Sequence, residues 1–440
     1  MKKLICCLLL FAALCGPSAL AVDAESTPSL WPAYDPETGL WGYITEDGAW
    51  GIEPRYTRAE EFRGDCAIVQ VGQESYTSGI IDADASFVLS PMYGVVSSQP
   101  GISERQDIGP LFYVYDKAGK SGWFNGKNRY FSGMVWDYCE ACGDQRFITV
   151  AKDAGDAWHY SLAWRDTGEL LVPVKDWEIY WLQEGVAVAM SGSMTFIIRD
   201  DGSVLSLPEG LEAADWFYQD GLLLVMDGDG LYGYVDLNGE IVIEPQFGEA
   251  ESFRNGYAVA ADGGSGWLID TQGNRLAKDV YFVCGTWADD GIAVEGEGGW
   301  AVLNEDGTER FRVSMDERHL GALVLTKPPL AEGAPWWVLY TFGGVGTSYG
   351  LMTADGQWVA EPEWTLYGDR FSNDPMGWHA AGLDGKWGYI DGAGNTILPF
   401  IYEDAEHFNG ALARVRFDAS TEGYINRSGE VVHSWPKLAD

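Results

Sequence analysis

Cations, cysteines and long apolar runs are all scarce in this sequence, and each shortage excludes something. Past its first residues, no segment approaches the roughly 20 consecutive apolar residues that a spanning helix needs, so no membrane span is expected. Lysine and arginine total 28 against 66 aspartates and glutamates, a formal charge of −38. A surface this acidic repels phosphate backbones and anionic lipid headgroups, which argues against nucleic acid and against polybasic membrane attachment. The same charge keeps an exported β-protein soluble and discourages edge-to-edge pairing. Its sharper meaning is attraction of a cationic partner or of calcium.

Of seven cysteines, Cys6, Cys7 and Cys15 fall in the first fifteen residues, leaving Cys66, Cys139, Cys142 and Cys284. Four are too sparse for a disulfide scaffold, so a hydrophobic core must hold the fold. Cys139 and Cys142, in CEAC, could close a small disulfide or supply half a zinc site; no second pair completes a four-thiolate site. Catalytic signatures are missing as well. There is no G-x-S-x-G elbow, no H-E-x-x-H and no glycine-rich phosphate loop, and the calcium-loop register at 227–239 fails after its second aspartate. The histidines are scattered, and only His407 lies in a regular unit's loop, where a surface histidine is the default. No catalytic residue, metal or cofactor is called for, and a non-enzymatic role is expected.

What is present begins with MKKLICCLLLFAALCGPSALA, which has two lysines, a short apolar run and small residues at positions 19 and 21. That pattern is a secretory signal peptide over residues 1–21, cut after Ala21, and it implies a secreted or cell-envelope protein of residues 22–440. The rest of the chain repeats itself. GKWGYIDGAGNTILP at 385–399 recurs as GLWGYITEDG at 39–48, GLYGYVDLNG at 230–239 and EGYINRSG at 422–429, among others. Anchored on the closing residue, eleven copies end at Gly48, Ala85, Gly119, Gly168, Gly202, Gly239, Gly273, Gly307, Gly356, Gly394 and Gly429. Eight of the ten intervals are 34 to 38 residues, and the other two are 49. A fixed period of this size means a solenoid, a propeller or an array.

The copy at 385–415 shows the unit. Trp387 to Asp391 has strand composition, Gly392 to Gly394 a turn, Thr396 to Leu398 a second strand ended by Pro399, and ALARV at 411–415 a third. The expectation is an all-β chain of about eleven tandem three-stranded β-meanders, propeller-like; the alternative is an open superhelical β-solenoid. Gly388 and Gly233 are expected to let an adjacent unit approach closely. Asp236, Asp270 and Asp391 recur just before the turn glycine, which points to turn amides rather than chemistry.

The order Trp-Gly, then Tyr-Ile-Asp-Gly, a proline, an aromatic and F-x-x-G resembles the bacterial WG-repeat family, also called KWG repeats. The likeness covers nearly all of residues 39–436. It is sharpest at Trp41, Gly233 and Trp387 and weakest at Gly79, Leu162 and Phe196. The resemblance implies β-rich repeats with a binding or scaffold role and brings no catalytic residues. Trp41, Trp267, Trp300 and Trp387 sit in the repeat's own strand and are expected in the core. The two long intervals look like insertions, near 126–160 and 315–345. Their out-of-phase tryptophans, Trp136, Trp158, Trp336 and Trp337, are the candidate binding residues, because long loops on rigid repeats carry contacts. A protein or cell-surface ligand is the expected partner. A glycan is the alternative, bound by a carbohydrate-binding module or cut by a propeller-type glycan-degrading enzyme.

Overall fold

The computed structural model describes residues 30–438, apart from 75, 98–108, 143–145, 156, 193, 217, 265, 288–290, 297–298, 314–322, 328–335, 343–345 and 368–373. Within them the chain is all-β, forming nine antiparallel sheets. Two of the sheets have seven strands because one long strand changes partner midway. Phe87–Ser97 pairs through Tyr93 with Ser78 and from Gly94 with Tyr115; Trp358–Leu366 does the same between Gly346–Met352 and His379–Leu383. Divided at those strands, the sheets number eleven, one for each sequence copy.

The sheets are not the three-stranded meanders expected from the sequence. Most have four strands, drawn from two successive copies. Residues 385–415 give Lys386–Ile390 and Thr396–Tyr402 to one sheet, then Asp404–Ala405 and most of Ala413–Arg416 to the next. Each covalent copy therefore staples two neighbouring sheets together.

Inside a sheet, the Trp-Gly glycine and the proline that follows it form one device. Trp387 pairs with Tyr402 but Tyr389 pairs with Leu398, so the partner strand bulges between them around Pro399. The strand runs on through Pro399 rather than ending there, because a bulge needs no amide from proline. The bulge folds back onto Gly388, where a Cβ would lie 2.8 Å from the Leu398 carbonyl oxygen; at Gly233 the distance to that of Ile243 would be 2.5 Å. Gly42, Gly79 and Gly350 face the bulges of Pro54, Pro91 and Pro362 in the same way. The close approach thus comes from the same sheet's next strand, not from an adjacent unit as expected.

The turns bear out the sequence. Asp391 Oδ1 accepts the amides of Ala393 at 2.9 Å and Asn395 at 2.8 Å, while Gly394 takes φ +83°; Asp236 and Asp270 do the same two and four residues on. Several turn glycines rest on the preceding sheet, Gly394 on Leu351, Gly429 on Leu398 and Gly273 on Ile243, whereas Gly119 has nothing within 4 Å.

The chain forms two compact units, one of Met1–Met134, Pro329–Thr353 and Trp358–Asp440, the other of Val135–Pro328 and Ala354–Gln357. The long intervals are where the chain passes from one unit to the other. Residues 126–160 are not a free loop, since they include Tyr130–Phe131, Tyr138–Ala141 and Phe147–Asp153. Much of 315–345 lies outside the described residues.

In the first unit, the first and last sheets of the chain pack face to face. Trp31, Ala33 and Ile44 share one core with Leu412, Tyr424 and Trp435. Gly48 rests on Val432, as other turn glycines rest on the sheet before them. The Tyr43, Tyr234 and Tyr389 hydroxyls each donate to a carbonyl 17 residues on, those of Glu60, Glu251 and Glu406. Tyr424 donates instead to the Pro32 carbonyl, at 3.1 Å. Among the described residues no terminal strand is exchanged between these two sheets. In the second unit, successive sheets share cores such as Phe147, Trp177 and Leu182, and Tyr234, Phe253 and Ile269.

Two outcomes follow for stability. Gly388→Val should cost about 1–3 kcal/mol by forcing the bulge outward, and a thermal melt unchanged within error would refute the device. Tyr424→Phe should cost about 1 kcal/mol, as Tyr389→Phe should, by stranding a buried carbonyl. A melt in which only Tyr389→Phe matters would separate the terminal contact from the internal ones.

Candidate functional site

Two places in the fold gather polar and aromatic groups beyond what packing needs. The more open one is a cleft of about 570 Å³ in the second unit, built by three successive sheets. Its first wall is the strand Trp158–Trp164, in which Trp158 and Tyr160, two residues apart, share a face. Its floor is the segment entering the next sheet. Trp177 is buried there and donates its indole N–H to the Tyr160 carbonyl at 2.9 Å. The flanking Asp176 and Glu178 point into solvent at the cleft. The strand Glu178–Gln183 then alternates, Ile179 inward and Glu178 and Tyr180 outward, with Glu178 opposite Met190. A bulge follows, Tyr180 and Trp181 standing against Val188 alone. The far wall is Trp216, whose ring centroid lies 4.4 Å from that of Tyr180 at a 40° tilt.

Trp158 is 45% and Trp216 51% exposed, unusual for tryptophan in a molecule with this many buried aromatics. Tyr180 donates to Glu178 Oε2 at 2.7 Å, and burial together with that carboxylate pushes its phenol well above the usual range. Tyr160 is raised for the same reasons. Lys175 places its ammonium 5.0 Å from the Trp177 ring centre. Among the described residues neither Asp176 nor Glu178 has a cation within ion-pair distance.

The sequence-named tryptophans meet different fates. Trp158 lines the cleft. Trp136 is buried under the Lys152 ammonium, 5.4 Å from its ring, and offers no open face. Trp336 and Trp337 lie on the strand Trp336–Phe342, opposite Met352 and Leu351, and their side chains fall outside the described residues. Trp216, Trp177 and Tyr180 were missed. The signal available was the repeated Asp-Trp at 176–177 and 215–216, which, like Trp158, lies out of phase with the repeat's strand. No disulfide joins Cys139 and Cys142. Cys139 is in an extended strand, and residues three apart there are separated by about 10 Å and face opposite sides. Cys142 instead contacts the Thr149 hydroxyl at 2.9 Å. His407 is not a simple surface residue, since its Nδ1 accepts the Ala380 amide at 3.0 Å.

The second place is a carboxylate cluster near the joined chain ends. Asn409 donates to Glu61 at 2.9 Å, and the Glu422 carboxylate accepts from Arg414 at 3.0 Å and from the Trp435 indole at 2.7 Å. Glu406 is crowded by protein on most sides; burial, then repulsion from Glu61, raises its carboxyl to about 7 despite Arg414. Among the described residues no three histidine, cysteine or acidic side chains are grouped to hold a metal ion. None forms a helix long and apolar enough to cross a membrane.

Tandem antiparallel sheets bearing an aromatic cleft define a β-repeat protein. The family model described as "WG containing repeat" matches at residues 41–74, 232–264 and 387–419, the three sharpest copies. No curated protein matches the chain. Among solved structures, one titled as a eukaryotic initiation factor aligns at 10% identity over 76% of this chain and 95% of its own, with a TM-score of 0.38. BamB from Moraxella catarrhalis aligns at 12% identity over 68% and 94%, TM-score 0.28, and the WD40 β-propeller domain of Doa1 at 11% over 47% and 79%, TM-score 0.23.

Glu406 yields a pH prediction. Its folded-state value lies above the ordinary glutamate value, so the folded state holds this proton more tightly than the unfolded chain does. The stability linked to that proton is complete below about pH 4 and is lost as pH rises through about 7. Glu406→Gln should therefore raise the melting temperature at about pH 8 and leave it nearly unchanged at about pH 4. Equal shifts at both would contradict this.

Proposed function

We propose that the chain is an exported, non-catalytic binding protein that recognises a protein or cell-surface ligand. The observation that carries this is the cleft of Trp158 and Trp216, two open indoles, one on a strand and one in a bend two sheets further on. Such surfaces supply large contact area at little entropic cost, and loops on rigid repeats are where contacts concentrate. The WG containing repeats and the leader at 1–21 are in keeping with it.

A second reading has support from the same cleft. Indole faces also stack on sugar rings, and two nearby carboxylates suit hydroxyl groups, so a carbohydrate-binding module or glycan-degrading enzyme is the rival. Purified residues 22–440 should be applied to a glycan array that includes peptidoglycan fragments, with reducing-sugar release assayed alongside. The reading expects no release, and either saturable glycan binding or a partner cross-linked on intact cells. Release of reducing sugar would overturn the non-catalytic role. Export is checked separately: a mature protein outside the cytoplasm should begin at Val22.

A further inference from the structure

We infer that the cleft is a docking site for a basic polypeptide segment, whose lysine ammonium or arginine guanidinium lies against the indoles of Trp158 and Trp216 beside the carboxylates of Asp176 and Glu178. This rests on the chain being a binding protein and adds the chemistry of its partner.

Charge is the first ground. Both charged groups in the lining are negative, they flank one residue, and neither is neutralised by a cation among the described residues. An incoming cation removes their mutual repulsion and gains a charge-assisted hydrogen bond.

Donor and acceptor inventory is the second. A sugar hydroxyl both donates and accepts, so a sugar site needs strong donors as well as acceptors. In this lining the Trp177 N–H is committed to the Tyr160 carbonyl and the Tyr180 hydroxyl to Glu178. What is left is the Tyr160 hydroxyl, the indole N–H groups of Trp158 and Trp216 at the rim, and the carboxylates of Asp176 and Glu178, the charged acceptors of the lining, which suit a ligand that only donates, as ammonium and guanidinium do.

The third ground is the aromatic geometry. Tyr180 and Trp216 make a corner at 4.4 Å, and Lys175 already sets an ammonium 5.0 Å from the Trp177 ring, the arrangement a bound cation would repeat on the exposed indoles. At about 570 Å³ the cleft holds more than a single amine, which favours a segment of chain. The net charge of −38 steers such a partner inward.

The test uses the full mature chain and a fluorescein-labelled peptide alternating glycine with lysine and arginine, read by anisotropy at about 0.15 M salt, where distant charges are screened. A glutamine-for-cation peptide and a neutral chito-oligosaccharide serve as comparisons. The basic peptide should bind; joint Trp158→Ala and Trp216→Ala should weaken it about tenfold while the variant still melts cooperatively well above the assay temperature, since both rings are about half exposed. Glu178→Gln should weaken it several-fold, whereas Glu244→Gln, which removes the same charge from an exposed site on Ile241–Phe247, should not. Equal losses from Glu178→Gln and Glu244→Gln would mean that bulk charge holds the peptide, and would overturn the site. So would an undiminished affinity in the tryptophan variant, or no binding. Oligosaccharide binding that depends on Trp158 and Trp216 would replace the cation with a sugar while leaving the binding role intact; only turnover would remove that role.

Discussion

A glycine with no room for a side chain, pressed by the proline bulge of the strand beside it, is the constraint from which the rest of this structure proceeds. Gly388 and Pro399 show it, as do Gly42 with Pro54 and Gly233 with Pro245. The bulge adds twist and turns the end of the strand out of its own sheet. The chain then crosses to the next sheet, where the Tyr389 hydroxyl fastens the incoming loop at the Glu406 carbonyl. Strand pairing, the step between sheets and the tyrosine clasp are thus one connected arrangement. The apolar cores between sheets supply the larger energy, about 1.5–3 kcal/mol for each large side chain buried, and the bulge sets the step between the sheets that share them.

Much of this was legible in the sequence because it is local. The Asp391 turn depends on residues within four positions, and its pattern repeats in plain view at Asp236 and Asp270. What could not be read was non-local. Nothing in residues 385–415 says that the third strand of a copy pairs in the next sheet, because hydrogen-bond partners are set by packing. Tyr424 was visible as a repeat tyrosine, but its acceptor, Pro32, lies at the other end of the chain. Gly388 was rightly marked as a point of close approach and assigned to the wrong neighbour. Nor does the composition of CEAC announce that Cys139 lies in an extended strand with Cys142 just past its end.

The cleft was half legible. Trp158 stood out by breaking the period, while Trp216 and Tyr180 did not, since their significance lies in facing each other across a sheet boundary. Trp136 broke the period equally and is simply buried. Phase violation thus marks residues released from the repeat's packing rule without saying whether they face solvent or core. The two exposed indoles, and carboxylates with no cation beside them among the described residues, stand apart from the repeating roles of turn amide and tyrosine clasp.

The offset between covalent copy and sheet has a genetic corollary. A copy begins midway through one sheet and ends midway through the next, so in-frame excision of one copy removes half of each. The remaining halves carry the same glycine, bulge and tyrosine and can pair as a complete sheet. Recombination between copies in the gene can therefore shorten or lengthen such an array without leaving a raw strand edge for aggregation. The contact of Tyr424 with Pro32 lies outside that rule, since it joins the first and last of the described sheets rather than neighbours in sequence.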